Sequence, residues 1–176
     1  MNALVSHLDL FPTLCNLTGL EQPDWLQDHS MVPILNGESE MIRNEIFSEV
    51  TYHAEYEPKR CVRTNQYKYF RRYDEHNLTV HSNIDAGRGK DHVIEYGLLD
   101  KILDREMLFD LALDPGERNN IFENSQYIDI HEMSEKLDKW MKETNDPLLN
   151  GKVPIPEGAK VNKFESLHPN DNSSED

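Results

Sequence analysis

The stretch KRCVRTNQYKYFRRY, residues 59–73, decides the fold. Its halves read as two strands, and Asn65-Gln66 between them is the length of a tight hairpin loop. A period of two puts Tyr67, Tyr69, Arg71 and Tyr73 on one face of the second strand, and Lys68, Phe70 and Arg72 on the other. Both faces are mixed, so long side chains cover one side of the sheet. Outward from this hairpin, NEIFSEVTY (44–52) and EMLFDLALD (106–114) read as further strands, and DPGERNN (114–120) as a turn.

Beyond that turn, NSQYIDIHEMSEKLDKWMKETNDP (124–147) is the clearest helix. Ser125 is its expected cap. Ile130, Met133, Leu137, Trp140 and Met141 recur at helical spacing, and Asn145-Asp146-Pro147 stop it. Near the start, SHLDLFPTLCNLTGL (6–20) reads as a short packing helix. Either Ser6 or Asp9 caps it, Gly19 ends it, and Leu8, Phe11, Cys15 and Leu17/Thr18 share a face. Trp25 and Leu35 are the expected anchors of the loop that follows. Residues 74–100 form a polar excursion with about one helical turn. The tail from Gly151 is extended and then disordered. Strands followed by a helix give an α+β class: an antiparallel sheet of about four strands with the C-terminal helix packed on it.

The chain has 176 residues and a formal net charge of −15, which argues against nucleic-acid binding because phosphate affinity needs a broad basic surface. Against that background six cations stand between Lys59 and Arg72 with no carboxylate among them. A mean hydropathy of −0.74 predicts a modest core. No run of about 18 apolar residues offers a membrane span. The N-terminus has no cationic start and so does not read as a leader, which places the chain as it stands in the cytoplasm. Cys15 and Cys61 match neither a disulfide framework nor a metal spacing.

No phosphate loop, G-x-S-x-G or H-E-x-x-H is present, and the eight histidines are scattered. The remaining candidate is a patch of Glu49, His53, Arg60 and Arg63 at a strand end. Histidine and the arginine forks suit an anion, and Glu49 suits a sugar hydroxyl or amine. The competing reading makes Glu49–Arg60 and similar pairs ordinary surface salt bridges.

Taken together the strings are recognisable. VSHLDLFPTLCNLTGL (5–20), HSMVPILNGE (29–38), VRTNQYKYFRRY (62–73), LFDLALDPGERNNI (108–121) and KWMKETNDPLL (139–149) resemble the C-terminal region of type I sulfatases, of the alkaline phosphatase-like superfamily. SEVTYHAEYEPKR (48–60) and WMKETNDP lean toward the N-sulfoglucosamine sulfohydrolase (heparan N-sulfatase) branch. The resemblance covers nearly all of residues 4–165. It implies that residues 1–40 end a missing α/β catalytic domain, that 41–150 form the C-terminal subdomain, and that 151–176 are the tail. It also implies sulfatase chemistry on sulfated sugars: a formylglycine made in a C/S-x-P-x-R motif attacks sulfur while calcium polarises the sulfate oxygens. Cys15 and Cys61 do not match that motif, so no catalytic or metal-binding residue is expected here. Formylglycine and calcium belong to the absent domain, leaving this chain inactive alone.

By the same resemblance Glu49, His53 and Arg60 are the expected substrate-binding residues. The expected partners are a sulfated carbohydrate and the catalytic domain, against which a large exposed apolar surface should pack. A free-standing sulfated-glycan-binding module and an inactive gene fragment are the alternatives.

Overall fold

The computed structural model describes residues 3–124, 127–169 and 173–174. Four strands make one antiparallel meander in chain order: β1 (Ile46–Tyr52), β2 (Tyr56–Arg63), β3 (Tyr67–Arg72) and β4 (Glu106–Asp110). The Asn65-Gln66 loop closes as its length requires. Thr64 N–H donates to Tyr67 O at 2.8 Å, and Tyr67 N–H returns to Thr64 Oγ1 at 3.0 Å. β2 begins earlier than its sequence suggests, because Tyr56 pairs across to Tyr52 beyond an irregularity between Val50 and Tyr52.

Helix α4 (Tyr127–Glu143) lies on one face of this sheet. Val62, Tyr69 and Leu108 from the strands meet Met133, Leu137 and Met141 from the helix, with Leu148 closing the end. Each such buried side chain is worth about 1.5–3 kcal/mol relative to exposure. Trp140 stacks on Phe47 with ring centroids 5.1 Å apart. The predicted β3 alternation holds on this face. Tyr67 donates to Asp129, Tyr73 donates to the Met141 sulfur, and Arg71 reaches Ser134 and Asp138. The helix stops at Asn145, whose φ of 51° lets Asp146 N–H bond back to Met141 O at 2.8 Å. The expected cap, Ser125, lies outside the described residues.

At the other end of the chain Ser6 is the side-chain cap, and Asp9, which precedes α1 (Leu10–Thr18), makes no capping bond to it. Ser6 and Asp9 form a capping box around a single 3-10 turn, and α1 starts after it, with Pro12 in its first turn and Gly19 at φ 71° ending it. The packing face is not the expected one. Asp9, Pro12, Thr13 and Cys15 are buried, whereas Leu8, Phe11, Leu14 and Leu17 face outward. Hydrogen bonding explains the choice. Thr13 Oγ1 accepts from Met31 N–H at 2.8 Å and Asp9 accepts from His29 N–H at 3.3 Å, while Arg43 bridges Asp9 and Asp28. The polar side of the helix thus holds the loop of residues 28–43. Trp25 and Leu35 are exposed; Ile34, in the short α2 (Val32–Leu35), is the buried anchor instead.

The excursion is more ordered than its polarity suggests. It contains α3 (Arg88–Glu95), and Lys90 on that helix is buried with its ammonium donating to the carbonyls of His81 (2.7 Å), Ile84 (3.0 Å) and Leu167. The tail also returns to the body. β5 (Val161–Asn162) pairs with β6 (Ser173–Ser174), and Asn162 N–H donates to Ala54 O at 2.8 Å. The disorder expected at 170–172 and 175–176 falls outside the described residues.

Candidate functional site

Five of the six cations between Lys59 and Arg72 have carboxylate partners: Lys59 with Glu57, Arg60 with Asp146, Lys68 with Glu117, Arg71 with Asp138 and Arg72 with Asp74. Arg63 is exposed on the last residue of β2. The apparent basic cluster is therefore mostly framework. It ties the sheet to α4 and to the turns around it, through partners as many as 86 positions away.

Arg60 shows this most fully. Its side chain is 1% exposed. Nε and Nη2 grip Asp146 at 2.5 and 3.0 Å, Nη1 donates to Val50 O and Lys59 O, and Nη2 also donates to Thr51 Oγ1. All five guanidinium N–H groups are thereby used. Arg60, expected to contact substrate, has every donor engaged within the chain. The sequence could not show this, because Asp146 approaches from beyond the far end of α4.

Glu49 is the cross-strand partner of Arg60, with its carboxylate 3.3 Å from Arg60 Nε. More than half of that side chain is exposed, and it borders a cleft of about 660 Å³ also lined by His29, Arg43 and Asp146. His53 sits past the end of β1, on the turn to β2. At about 3.3 Å per residue the two lie roughly 13 Å apart along the chain. Glu49 and Arg60 are brought together; His53 stands apart from them.

The turn carrying His53 is fastened from beneath. Asn83 Oδ1 accepts from Ala54 N–H (2.9 Å) and Glu55 N–H (2.8 Å), and Asn83 Nδ2 donates to Glu57 at 3.0 Å. Ser82 Oγ donates to the Glu55 carboxylate at 2.9 Å, and Asn162 holds Ala54 O. His53 itself is exposed on top. Burial raises the Glu55 carboxyl above the ordinary glutamate value, against the pull of the Ser82 hydroxyl. Burial and then the Lys90 charge lower His81 below the ordinary histidine value. Sequence reasoning missed Ser82, Asn83 and Asn162, because polar residues in a polar excursion carry no signal of what they fasten.

Among the described residues no three His, Cys, Asp or Glu side chains converge as metal ligands. Both cysteines are buried and unbridged, and burial pushes the Cys61 thiol up to about 11. Nor, among those residues, is any helix long and apolar enough to cross a membrane.

A four-stranded antiparallel meander under one long helix matches part of the fold of solved sulfatases. A solved 2-O GAG sulfatase superposes with a TM-score of 0.59 at 28% identity, over 84% of this chain and 27% of that one. The ulvan-active sulfatase of Formosa agariphila is 30% identical over 161 residues, covering 88% of this chain and 32% of the relative. The Delta 4,5-hexuronate-2-O-sulfatase of Bacteroides thetaiotaomicron is 30% identical over 151 residues, covering 83% and 25%. The chain thus spans about a third or less of the length of these curated relatives. It is a relative of the sulfatases, corresponding to their C-terminal region. Within that class, residues 1–86 match the family described as N-sulphoglucosamine sulphohydrolase, C-terminal.

Proposed function

We propose that this chain is the substrate-facing C-terminal part of a sulfatase, a sulfuric ester or sulfamate hydrolase acting on sulfated sugars, with N-sulfoglucosamine as one substrate. Residues 1–40 complete a catalytic domain, 41–150 form the subdomain that walls its pocket, and 151–176 strap that subdomain. Glu49 and His53 touch the sugar. Arg60 is a positioning residue that fixes Glu49. Formylglycine and its calcium reside in the catalytic domain, and this chain supplies neither.

The observation that carries the proposal is the outward leucine face of α1. Leu14 and Leu17 are 58% and 62% exposed while the small polar side of the same helix is sealed. A helix oriented this way is made to be covered by another apolar surface.

The test is a chimera in which this chain replaces the matching region of the Formosa agariphila ulvan-active sulfatase. The chimera is expected to release sulfate while the 176-residue chain alone does not. In the chimera, Glu49→Ala and His53→Ala should each raise KM by about tenfold, the loss of one hydrogen bond to a charged partner. Sulfate release by the chain alone, or a KM indifferent to both substitutions, defeats the proposal.

A further inference from the structure

The turn that carries His53 commits both backbone groups of Ala54 to distant parts of the molecule. Ala54 N–H donates to Asn83 Oδ1 at 2.9 Å, in the polar excursion. Ala54 O accepts from Asn162 N–H at 2.8 Å, in the tail. Both segments lead back to one side chain, Lys90. Resting on the reading that His53 touches the sugar, we infer that Lys90 is a positioning residue for that histidine. Its buried ammonium holds two arms of hydrogen bonds, and both end on Ala54.

The first arm runs through the excursion. Lys90 Nζ donates to His81 O at 2.7 Å and to Ile84 O at 3.0 Å, at the first residue of the 3-10 turn His81–Asn83 and just past its last. Ile84 N–H closes that turn on His81 O at 3.1 Å. Asn83 reaches from it to the β1–β2 turn. Its Oδ1 accepts from both the Ala54 and the Glu55 amides, and its Nδ2 donates to Glu57 at 3.0 Å. Ser82, fully buried, adds a bond from its hydroxyl to the Glu55 carboxylate at 2.9 Å.

The second arm runs through the tail. The same Nζ donates to Leu167 O, 77 positions further along the chain. Asn162 Nδ2 donates to His168 O at 2.8 Å and Ser166 N–H to Lys163 O at 2.9 Å, so residues 162–168 close on themselves. The backbone N–H of the buried Asn162 then meets Ala54 O. His53, one residue before Ala54, stays exposed.

Lysine is the residue type this junction needs. Its ammonium has three donors and no acceptor, and three carbonyls meet it. An amide or hydroxyl would bring an acceptor of its own among those oxygens, and a methionine would fill the space and hold nothing. Lys90 is 4% exposed, and a buried charge is costly unless each donor is met. What that cost secures is register: three backbone points, from two segments far apart in sequence, are fixed around one atom. With both its N–H and its O held, the Ala54 backbone is set, and with it the direction of the chain leaving His53.

The experiment is amide hydrogen exchange of the full chain by NMR, parent against Lys90→Met. The Ala54, Glu55 and Asn162 amides should exchange about tenfold faster, the loss of one net hydrogen bond's hold. Leu108, whose N–H donates to Asn120 at 2.9 Å on β4, should keep its rate. Asn83→Ala, which cuts one arm, should free Ala54 and Glu55 more than Asn162. In the chimera, Lys90→Met should raise KM by about tenfold or less with kcat unchanged. Lys90→Met/His53→Ala should be no worse than His53→Ala, because the lysine acts through the histidine. Parent-like exchange at the three amides, Leu108 exchanging in step with them, additive effects on KM, or a KM raised by His53→Ala but not by Lys90→Met each overturns the inference. Failure of the sugar reading looks different: the three amides speed up, and neither Lys90→Met nor His53→Ala moves KM. Parent-like exchange with KM raised by His53→Ala sinks the arms and keeps the contact.

Discussion

Asp146→Ala tests whether the arginine cluster is framework. Arg60 and Asp146 are both 1% exposed, and truncation leaves the buried guanidinium with only the exposed Glu49 carboxylate, 3.3 Å from Nε, beside it. Removing one partner of a buried pair typically destabilises by about 3–5 kcal/mol. Leu148 N–H, which donates to Asp146 at 2.9 Å, loses its acceptor as well. At about 3 °C per kcal/mol for a chain of this length, Tm should fall by roughly 10–15 °C. The internal control is Asp138→Ala. Asp138 also pairs with an arginine of the cluster, but its side chain is 44% exposed. A pair of that kind is worth about 1 kcal/mol or less, so Tm should move by no more than about 3 °C. Melting followed by circular dichroism, with urea titrations to confirm an unchanged slope, reads both. The double change Arg60→Met/Asp146→Leu should recover more than half of the loss, because no charge is then left buried. Equal shifts for Asp146→Ala and Asp138→Ala would refute the reasoning, as would a double variant no better than the single one.

Glu55 gives a pH test. Its folded carboxyl is raised, so its favourable contribution is full below the unfolded value and is lost as pH rises through the folded one. Glu55→Gln should therefore match or exceed the parent in Tm at pH 7, with the difference shrinking toward pH 4; a deficit that grows with pH would contradict this. Leu14→Glu and Leu17→Glu should leave the Tm of the chain within a degree or two, since neither side chain is buried, yet prevent the chimera with the sulfatase catalytic region from forming a soluble, compact enzyme on gel filtration. Cys61 should react with a thiol reagent at pH 8 far more slowly in the folded chain than in urea, because burial holds the thiol near 11; equal rates would argue that β2 is open.

What the sequence made legible is what local period and turn chemistry control. The two-residue spacing of β3 and the apolar stripe of α4 were both readable, and so was the Asn145-Asp146-Pro147 stop, because neighbours in the chain fix them. The face chosen by α1 was not. Its helical period marks a leucine stripe but cannot say whether this chain or another covers it, and Thr13 and Asp9 turned inward for amides 18 and 20 positions away. The partners of the arginines were hidden for the same reason. A run of cations looks unpartnered until the fold brings Asp138 and Asp146 beside it. Lys90 shows the converse, a charge in a polar segment that proves to be a buried pin between three carbonyls.

The return of the tail to Ala54 and Lys90 has a consequence for biosynthesis. A chain emerging from the ribosome folds as its pieces become available, at about 5–20 residues per second. The meander and α4 have everything they need once residue 148 is out, but the contacts of Asn162 and Leu167 close loops of 108 and 77 positions. Such long closures come late. The His53 turn is therefore the last part of the molecule to set, seconds after the sheet on which it stands.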